Sequence, residues 1–214
     1  MAKVHFLQIA LTTKCNLSCW HCPMKEYRNT TPNFPLKNSE LIPWLEMFIE
    51  PNKWVIELTG GEPALYEGID ELCQWLSERN YTVIIKTNGM LEIKSYPNIK
   101  RVAAFHQVVR PPKYFDEILI VDKLDRQKKE EICKENGWIY HVIGYNSDTI
   151  DDFKNPFKYI AFINAAGHQY KCCAMQPIQK VIDGVDYNRI DHRQLEVFDC
   201  CEDCKGAIDC ARFL

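Results

Sequence analysis

The chain has 214 residues, 46% of them hydrophobic, enough for a packed core in one domain or one domain with a small appendix, which excludes a disordered chain. A formal charge of −3 and a pI near 6.1 provide no basic face or stripe, so nucleic acid and anionic membrane surfaces are disfavoured as partners and a neutral or small polar partner is favoured. Eleven cysteines, an odd number, follow no secretion signal: Met1 to Leu11 carries one lysine and a short apolar run broken by His5 and Gln8, with no small-residue cleavage site. No run reaches the roughly 18 apolar residues of a membrane helix. The reading is a cytoplasmic, reducing setting, in which clustered cysteines hold metal more often than they pair.

In chain order, Val4 to Thr13 is rich in branched and apolar residues and reads as a buried strand. Cys15, Cys19 and Cys22 follow in the loop at its C-terminal end. Ser39 to Ile49 carries Leu41, Trp44, Leu45 and Phe48 at helical spacing, with Asn38 or Ser39 as cap and Pro43 acceptable if it falls in the first turn. Trp54 to Leu58 is a second strand, closed by Thr59-Gly60-Gly61-Glu62-Pro63, and Gly68 to Arg79 an amphipathic helix with Ile69, Leu72, Cys73 and Leu76 on one stripe. Strands follow at Tyr81 to Lys86, Arg101 to Phe105 and Glu117 to Val121; a charged helix from Asp125 to Glu135 stops at Asn136-Gly137; Trp138 to Ile143 is a sixth strand.

Alternating strands and helices favour parallel strands joined by crossover helices. Six strands are fewer than the eight that close a barrel, so the expected fold is α/β, a partial (β/α)6 barrel over residues 1–150 with its functional loops at the strands' C-terminal ends. Residues 151–214 read as a cysteine-bearing appendix: Phe157 to Asn164 and His168 to Cys172 as a hairpin turning at Ala166-Gly167, then an acidic stretch ending in Cys200, Cys201, Cys204 and Cys210.

The C-x3-C-x2-C loop admits two metals. Three thiolates ligate three irons of a [4Fe-4S] cluster and leave the fourth open; alternatively, with His21 as a fourth ligand, the loop holds zinc at an awkwardly crowded spacing. Two motifs at successive strand ends bear on this choice. The C-x3-C-x2-C loop after a first strand, with Gly60-Gly61-Glu62-Pro63 after a second, resembles the radical S-adenosylmethionine (radical SAM) superfamily over residues 4 to 145. The resemblance implies that Cys15, Cys19 and Cys22 hold a [4Fe-4S] cluster whose open iron binds S-adenosylmethionine. It implies that Gly60, Gly61, Glu62 and Pro63 line the methionine moiety, backbone carbonyls or Glu62 accepting from its ammonium, and that His21 lies near the adenine. Thr87 and Asn88, and His106 after Phe105, fall where family members place ribose- or substrate-contacting groups; Thr87-Asn88-Gly89 also reads as a plain turn and His106 as a structural histidine. Arg110, before Pro111-Pro112, reads as a surface or loop-anchoring residue, with binding of a substrate anion as the alternative.

The tail, Gly167-x4-Cys172 and then Cys201-x2-Cys204-x5-Cys210, resembles the auxiliary-cluster region of the SPASM and twitch subgroup in its short form. That implies a second [4Fe-4S] cluster on Cys172, Cys201, Cys204 and Cys210, with Cys173 and Cys200 as rival ligands; structural zinc is the alternative. Cys73 and Cys133 read as core thiols.

The implied function is an oxidoreductase of the radical SAM type. It would cleave S-adenosylmethionine to a 5′-deoxyadenosyl radical, take a hydrogen from a substrate carbon and complete a net oxidation of a small polar metabolite such as a sugar, cyclitol or nucleoside. A flavodoxin or ferredoxin would supply the electron. A peptide-modifying maturase is the alternative, disfavoured by a chain that starts at its first strand; a zinc-stapled, non-catalytic binding protein is the alternative from another class.

Overall fold

The protein is described by a computed structural model over residues 4–19, 22, 28–29, 35–108, 110–120, 125–142, 157–163, 169–170 and 198–199. The elements are β1 (Val4–Thr12), α1 (Asn38–Phe48), β2 (Trp54–Gly60), α2 (Ile69–Glu78), β3 (Thr82–Thr87), β4 (Ile99–Ala104) and β5 (Glu117–Ile120). They continue with α3 (Arg126–Glu135), β6 (Tyr140–Val142), β7 (Phe157–Ile163), β8 (Gln169–Tyr170) and β9 (Phe198–Asp199). Boundaries expected from the apolar pattern hold to within about two residues. The two-residue β9 carries no periodicity and was not expected.

The strands form a single sheet in the order β6-β5-β4-β3-β2-β1-β7-β8, with β9 also on β7. From β6 through β1 to β7 every neighbouring pair is parallel, while β8 and β9 run antiparallel to β7. β1 is therefore an interior strand, buried on both faces, which is why it reads as a nearly continuous apolar run. The fold is the expected α/β arc of a partial barrel. β7 lies beside β1, pairing Leu7 with Ala161 and Ile9 with Ile163, so the first strand of the expected hairpin is bonded directly to the strand that carries the cysteine loop. The hairpin turn at Ala166-Gly167 lies outside the described residues.

Alternation along the strands separates two faces. Leu7, Ile9 and Leu11 of β1, Ile56 and Leu58 of β2, and Val83 and Ile85 of β3 pack under Leu41, Trp44 and Leu45 of α1 and Leu72, Cys73 and Leu76 of α2. A second cluster gathers Ala103, Phe105, Ile118, Ile120 and Cys133 beneath α3. Both helical cysteines are fully buried, and burial pushes the Cys73 thiol up to about 12 and that of Cys133 up to about 11, as suits core thiols. Residues 88–98 and the described residues of 105–116 join their strands without a helix.

α1 departs from expectation in two ways. Pro43 is the sixth helical residue rather than a first-turn one; it withholds one intrahelical bond, and the helix continues to Phe48 on the burial of Trp44 and Leu45. Asn38 does not cap it either. Its amide donates to the Gly68 carbonyl (2.8 Å) and to Glu71 (2.9 Å) and accepts from the Tyr66 hydroxyl (2.9 Å), tying the start of α1 to the start of α2. Among the described residues no helix is long and apolar enough to cross a membrane.

Candidate active site

The chemistry-bearing residues collect at the C-terminal ends of β1, β2 and β3. As β1 ends, Cys15, Cys19 and Cys22 stand half-exposed with free thiols. Arg28-Asn29 returns to brace this loop: the Asn29 N–H donates to the Thr13 carbonyl (2.9 Å), and the Asn29 side-chain oxygen accepts from the Cys15 N–H (2.8 Å). Asn29 takes the left-handed conformation (φ 60°), which asparagine tolerates better than most residues. Leu17 N–H donates to the Cys15 sulfur (3.5 Å), and Cys22 N–H to the Cys19 carbonyl (3.3 Å).

Burial raises the thiols of Cys15 and Cys19 above the ordinary range; the neighbouring thiols push both further, and Glu62 does so for Cys15, whereas Arg28 pulls both down. Such a loop holds several thiolates only with added positive charge, which a metal centre supplies. Among the described residues no group of three or more His, Cys, Asp or Glu side chains converges as ligands of a single metal ion. A cluster makes no such demand, because each thiolate ligates a different iron.

The Gly60-Gly61-Glu62-Pro63 turn is seated against this loop by its backbone. Gly61 N–H donates to the Thr12 carbonyl (2.6 Å) and Glu62 N–H to the Lys14 carbonyl (2.7 Å). A Cβ on Gly60 (φ 129°) would stand 2.5 Å from the Thr12 oxygen, and one on Gly61 2.1 Å from the Lys14 oxygen, so only glycine permits the approach. Pro63, buried, opens a short 3-10 helix to Leu65.

Glu62 is fully buried and faces the protein. Its carboxylate accepts from the Thr87 hydroxyl (2.6 Å), the Asn88 N–H (2.8 Å) and the Ala64 N–H (3.1 Å), fastening the end of β3 to the end of β2. The Asn88 amide in turn donates to the Asn16 side-chain oxygen in the cysteine loop (2.7 Å). Three loops far apart in sequence are thereby locked together. Thr87-Asn88-Gly89 is both a turn, with Gly89 N–H on the Thr87 hydroxyl and Met90 N–H on the Asn88 oxygen, and part of the site. His106 stands half-buried just past β4 at the same edge, and Arg110 is exposed, its N–H on the Gln107 carbonyl (3.2 Å).

Replacing Glu62 by glutamine sets an amide NH2 against Asn88 N–H in one orientation and against Ala64 N–H and Thr87 in the other. We expect Glu62→Gln to cost roughly 2 kcal/mol in urea unfolding despite its matching shape. Burial raises the Glu62 carboxyl above the ordinary glutamate range, against the pull of its three donors. The folded chain then holds that proton more tightly than the unfolded chain. This contribution is fully present below the ordinary glutamate range and is lost as pH rises through the folded value. The stability gap between wild type and Glu62→Gln should narrow with rising pH across that window, and a gap that widens would contradict the assignment.

Several participants carried no motif: Asn16, Arg28, Asn29, and a polar set on the sheet face opposite α1 and α2. There the fully buried Glu57 of β2 pairs with Lys86 of β3 (2.9 Å) and accepts from the Gln8 amide of β1, while Glu117 of β5 meets Lys100 (2.8 Å) and His141 (2.9 Å). The available signal was a charge inside an otherwise apolar strand, as at Glu57 within Trp54 to Leu58. His21 and the C-terminal cysteines Cys172, Cys173, Cys200, Cys201, Cys204 and Cys210 lie outside the described residues.

Comparison with known proteins adds the family dimension. A family model described as the radical SAM superfamily matches residues 9–154. The GTP 3′,8-cyclase of Aquifex aeolicus (strain VF5) is 30% identical over 169 residues, covering 71% of this chain and 52% of that protein. The mitochondrial GTP 3′,8-cyclase of Arabidopsis thaliana is 36% identical over 98 residues, 44% of this chain and 25% of that protein. The chain thus spans between a quarter and about half the length of these relatives. In fold it is similar to Streptococcus suis SuiB bound to S-adenosylmethionine, with a TM-score of 0.60 at 18% identity, covering 84% of this chain and 63% of that one.

These relatives correct the expected reaction. They are named for closing a ring on GTP, not for oxidising a sugar, cyclitol or nucleoside, so the expected net oxidation does not stand. The peptide-maturase alternative is left with a likeness of fold alone, and the zinc-stapled binding protein has no support from relatives of this kind.

Proposed function

The chain belongs to the radical SAM superfamily, and from that premise we propose that it carries out a radical cyclisation on GTP or a closely related purine nucleoside triphosphate. The observation that carries this reading is the alignment of the chain with GTP 3′,8-cyclases across most of its length. Their name specifies a bond between the 3′ position of the ribose and position 8 of the base, a rearrangement within one substrate rather than a net oxidation.

The family implies a [4Fe-4S] cluster and S-adenosylmethionine, which when bound supply the 5′-deoxyadenosyl radical. Cys15, Cys19 and Cys22 would hold the cluster. Their free, partly exposed thiols and a buried guanidinium nitrogen of Arg28 that lacks a hydrogen-bond partner among the described residues suit an anionic group at this place. Gly60 and Gly61 keep the backbone close enough for their turn to line the site, and Glu62 fixes the turn against Thr87 and Asn88. The partly exposed Lys86, ion-paired with the buried Glu57 (2.9 Å), stands near the C-terminal end of β3 on the face opposite the helices. His21 near the adenine and His106 near the substrate complete the proposed contacts.

We assign the tail to the twitch-like subgroup, with a second [4Fe-4S] cluster on Cys172, Cys201, Cys204 and Cys210, or with Cys173 or Cys200 in place of a neighbour. A flavodoxin- or ferredoxin-class protein would donate the electron, in a reducing cytoplasm that keeps the thiols free.

The test is anaerobic reconstitution with iron and sulfide, followed by dithionite, S-adenosylmethionine and GTP deuterated at the 3′ carbon. GTP-dependent formation of 5′-deoxyadenosine that carries the deuterium is the expected result. Cleavage that GTP neither stimulates nor labels would overturn the substrate assignment.

A further inference from the structure

We propose that Arg28 is a positioning residue for the reduced cluster, its guanidinium lying against the cysteine thiolates and stabilising the extra negative charge that reduction adds. This rests on the reading that Cys15, Cys19 and Cys22 hold a [4Fe-4S] cluster, and goes beyond it by assigning a residue outside the motif.

Placement is the first ground. Arg28 precedes Asn29, which is latched to the cysteine loop at two points, its N–H on the Thr13 carbonyl (2.9 Å) and its side-chain oxygen on the Cys15 N–H (2.8 Å). With Asn29 in the left-handed conformation, the chain turns sharply where Arg28 approaches the loop.

The second ground is an unmet donor. Nη1 of Arg28 is buried and has no hydrogen-bond partner, and no ion pair joins Arg28 to a carboxylate among the described residues. A guanidinium keeps its charge at any accessible pH, so it cannot escape burial by losing a proton. A buried donor on a fixed cation is costly unless an anion meets it. The residue that follows Arg28 is hydrogen-bonded to the Cys15 N–H (2.8 Å), which brings this unmet donor to the cysteine loop.

Chemistry is the third ground. Net charge and hydrogen bonds to the sulfurs are among the factors that set an iron-sulfur potential. A fixed cation favours the more negative, reduced state over the oxidised one, and so favours electron uptake. Lysine would retain the charge with a single ammonium head, whereas methionine and glutamine remove it.

The experiment uses the full chain, reconstituted anaerobically without S-adenosylmethionine, as wild type, Arg28→Met, Arg28→Gln and Arg28→Lys. Iron and sulfide are counted, and the cluster is titrated by electron paramagnetic resonance at controlled potential. At a fixed ambient potential the ratio of reduced to oxidised cluster should fall about tenfold in the Met and Gln variants, equivalent to ~59 mV for a one-electron couple. Arg28→Lys should titrate close to wild type. If the neutral variants hold the cluster and titrate with wild type, Arg28 has no such role. The same conclusion follows if their potential is unchanged while S-adenosylmethionine binding weakens, because the guanidinium would then serve that ligand's carboxylate. Should neither neutral variant retain a cluster, a lysine variant that loads fully but titrates well below wild type would overturn the charge argument. A wild-type chain that takes up no [4Fe-4S] cluster would instead remove the underlying reading, a failure seen in the metal count before any potential is measured.

Discussion

Gly61→Ala should separate the Gly60 to Pro63 turn from the cysteine loop and abolish both cluster retention and S-adenosylmethionine cleavage, although it adds a single methyl group. The added carbon would stand 2.1 Å from the Lys14 carbonyl oxygen, 2.7 Å from its carbon and 2.8 Å from the Thr13 oxygen. All three are backbone atoms, so no side chain can swing aside. The same backbone carries the bonds from Gly61 N–H to Thr12 and from Glu62 N–H to Lys14, so relieving the clash stretches both. Overpacking and the weakening of two buried hydrogen bonds together cost roughly 3 kcal/mol or more. Focused on the junction that positions Cys15, a cost of that size corresponds to about a hundredfold or greater loss in rate. Gly137→Ala is the control: its φ is also positive, at 66°, but a Cβ there meets nothing within 4 Å, so only the backbone term of ~1–2 kcal/mol applies. Iron content, 5′-deoxyadenosine formation and urea unfolding read the three effects. A Gly61→Ala protein with wild-type iron and wild-type cleavage would show that the turn does not set the site.

How much of this was legible beforehand differs by kind of interaction. Strands and helices were visible because burial on one or both faces imprints a period on the residues, as in Leu7, Ile9 and Leu11 or in Leu72, Cys73 and Leu76. The cysteine loop and the double-glycine turn were legible because their spacing is local. What joins them is not. Glu62 reaches Thr87 and Asn88, and Asn88 reaches Asn16, across separations no period encodes, and each residue alone reads as a polar turn residue. Asn38 illustrates the same limit: its position suggested a helix cap, yet Gly68, Tyr66 and Glu71 offer it partners that only the folded sheet brings within reach. The pairing of β7 with β1 was equally hidden, since an apolar strand shows that it will be buried and not which edge it will join. Glu57 was overlooked because a charge inside a strand looks like noise until Gln8 and Lys86 are found beside it. The reaction could not be read from the chain at all: a radical generator is specified by its cysteines and glycines, whereas what it acts on depends on side chains spread over several strands.

Alanine at Cys19 and alanine at Cys204 should fail in different ways, and the difference tests whether the two cysteine groups serve different steps. Cys19 stands in the loop at the end of β1, half-exposed and braced through its neighbour Cys15 by Asn29. With two thiolates left, a cluster of this kind loses one of the three ligands the loop supplies. Cys19→Ala should therefore give no 5′-deoxyadenosine with or without GTP, while the buried thiols Cys73 and Cys133 and the core around them keep the sheet folded. Cys204 lies outside the described residues, and its expectation rests on spacing with Cys201 and Cys210 alone. If those residues hold a second cluster used after hydrogen abstraction, Cys204→Ala leaves reductive cleavage intact but uncoupled: 5′-deoxyadenosine still forms, deuterium transfer from GTP falls, and cyclised product is lost. The readout is the ratio of product to 5′-deoxyadenosine at matched protein concentration, with circular dichroism as the check on folding. Equal loss of cleavage in both variants, with the Cys204→Ala protein less folded, would make the tail's metal structural, its binding energy serving to order a polar segment rather than to complete the reaction.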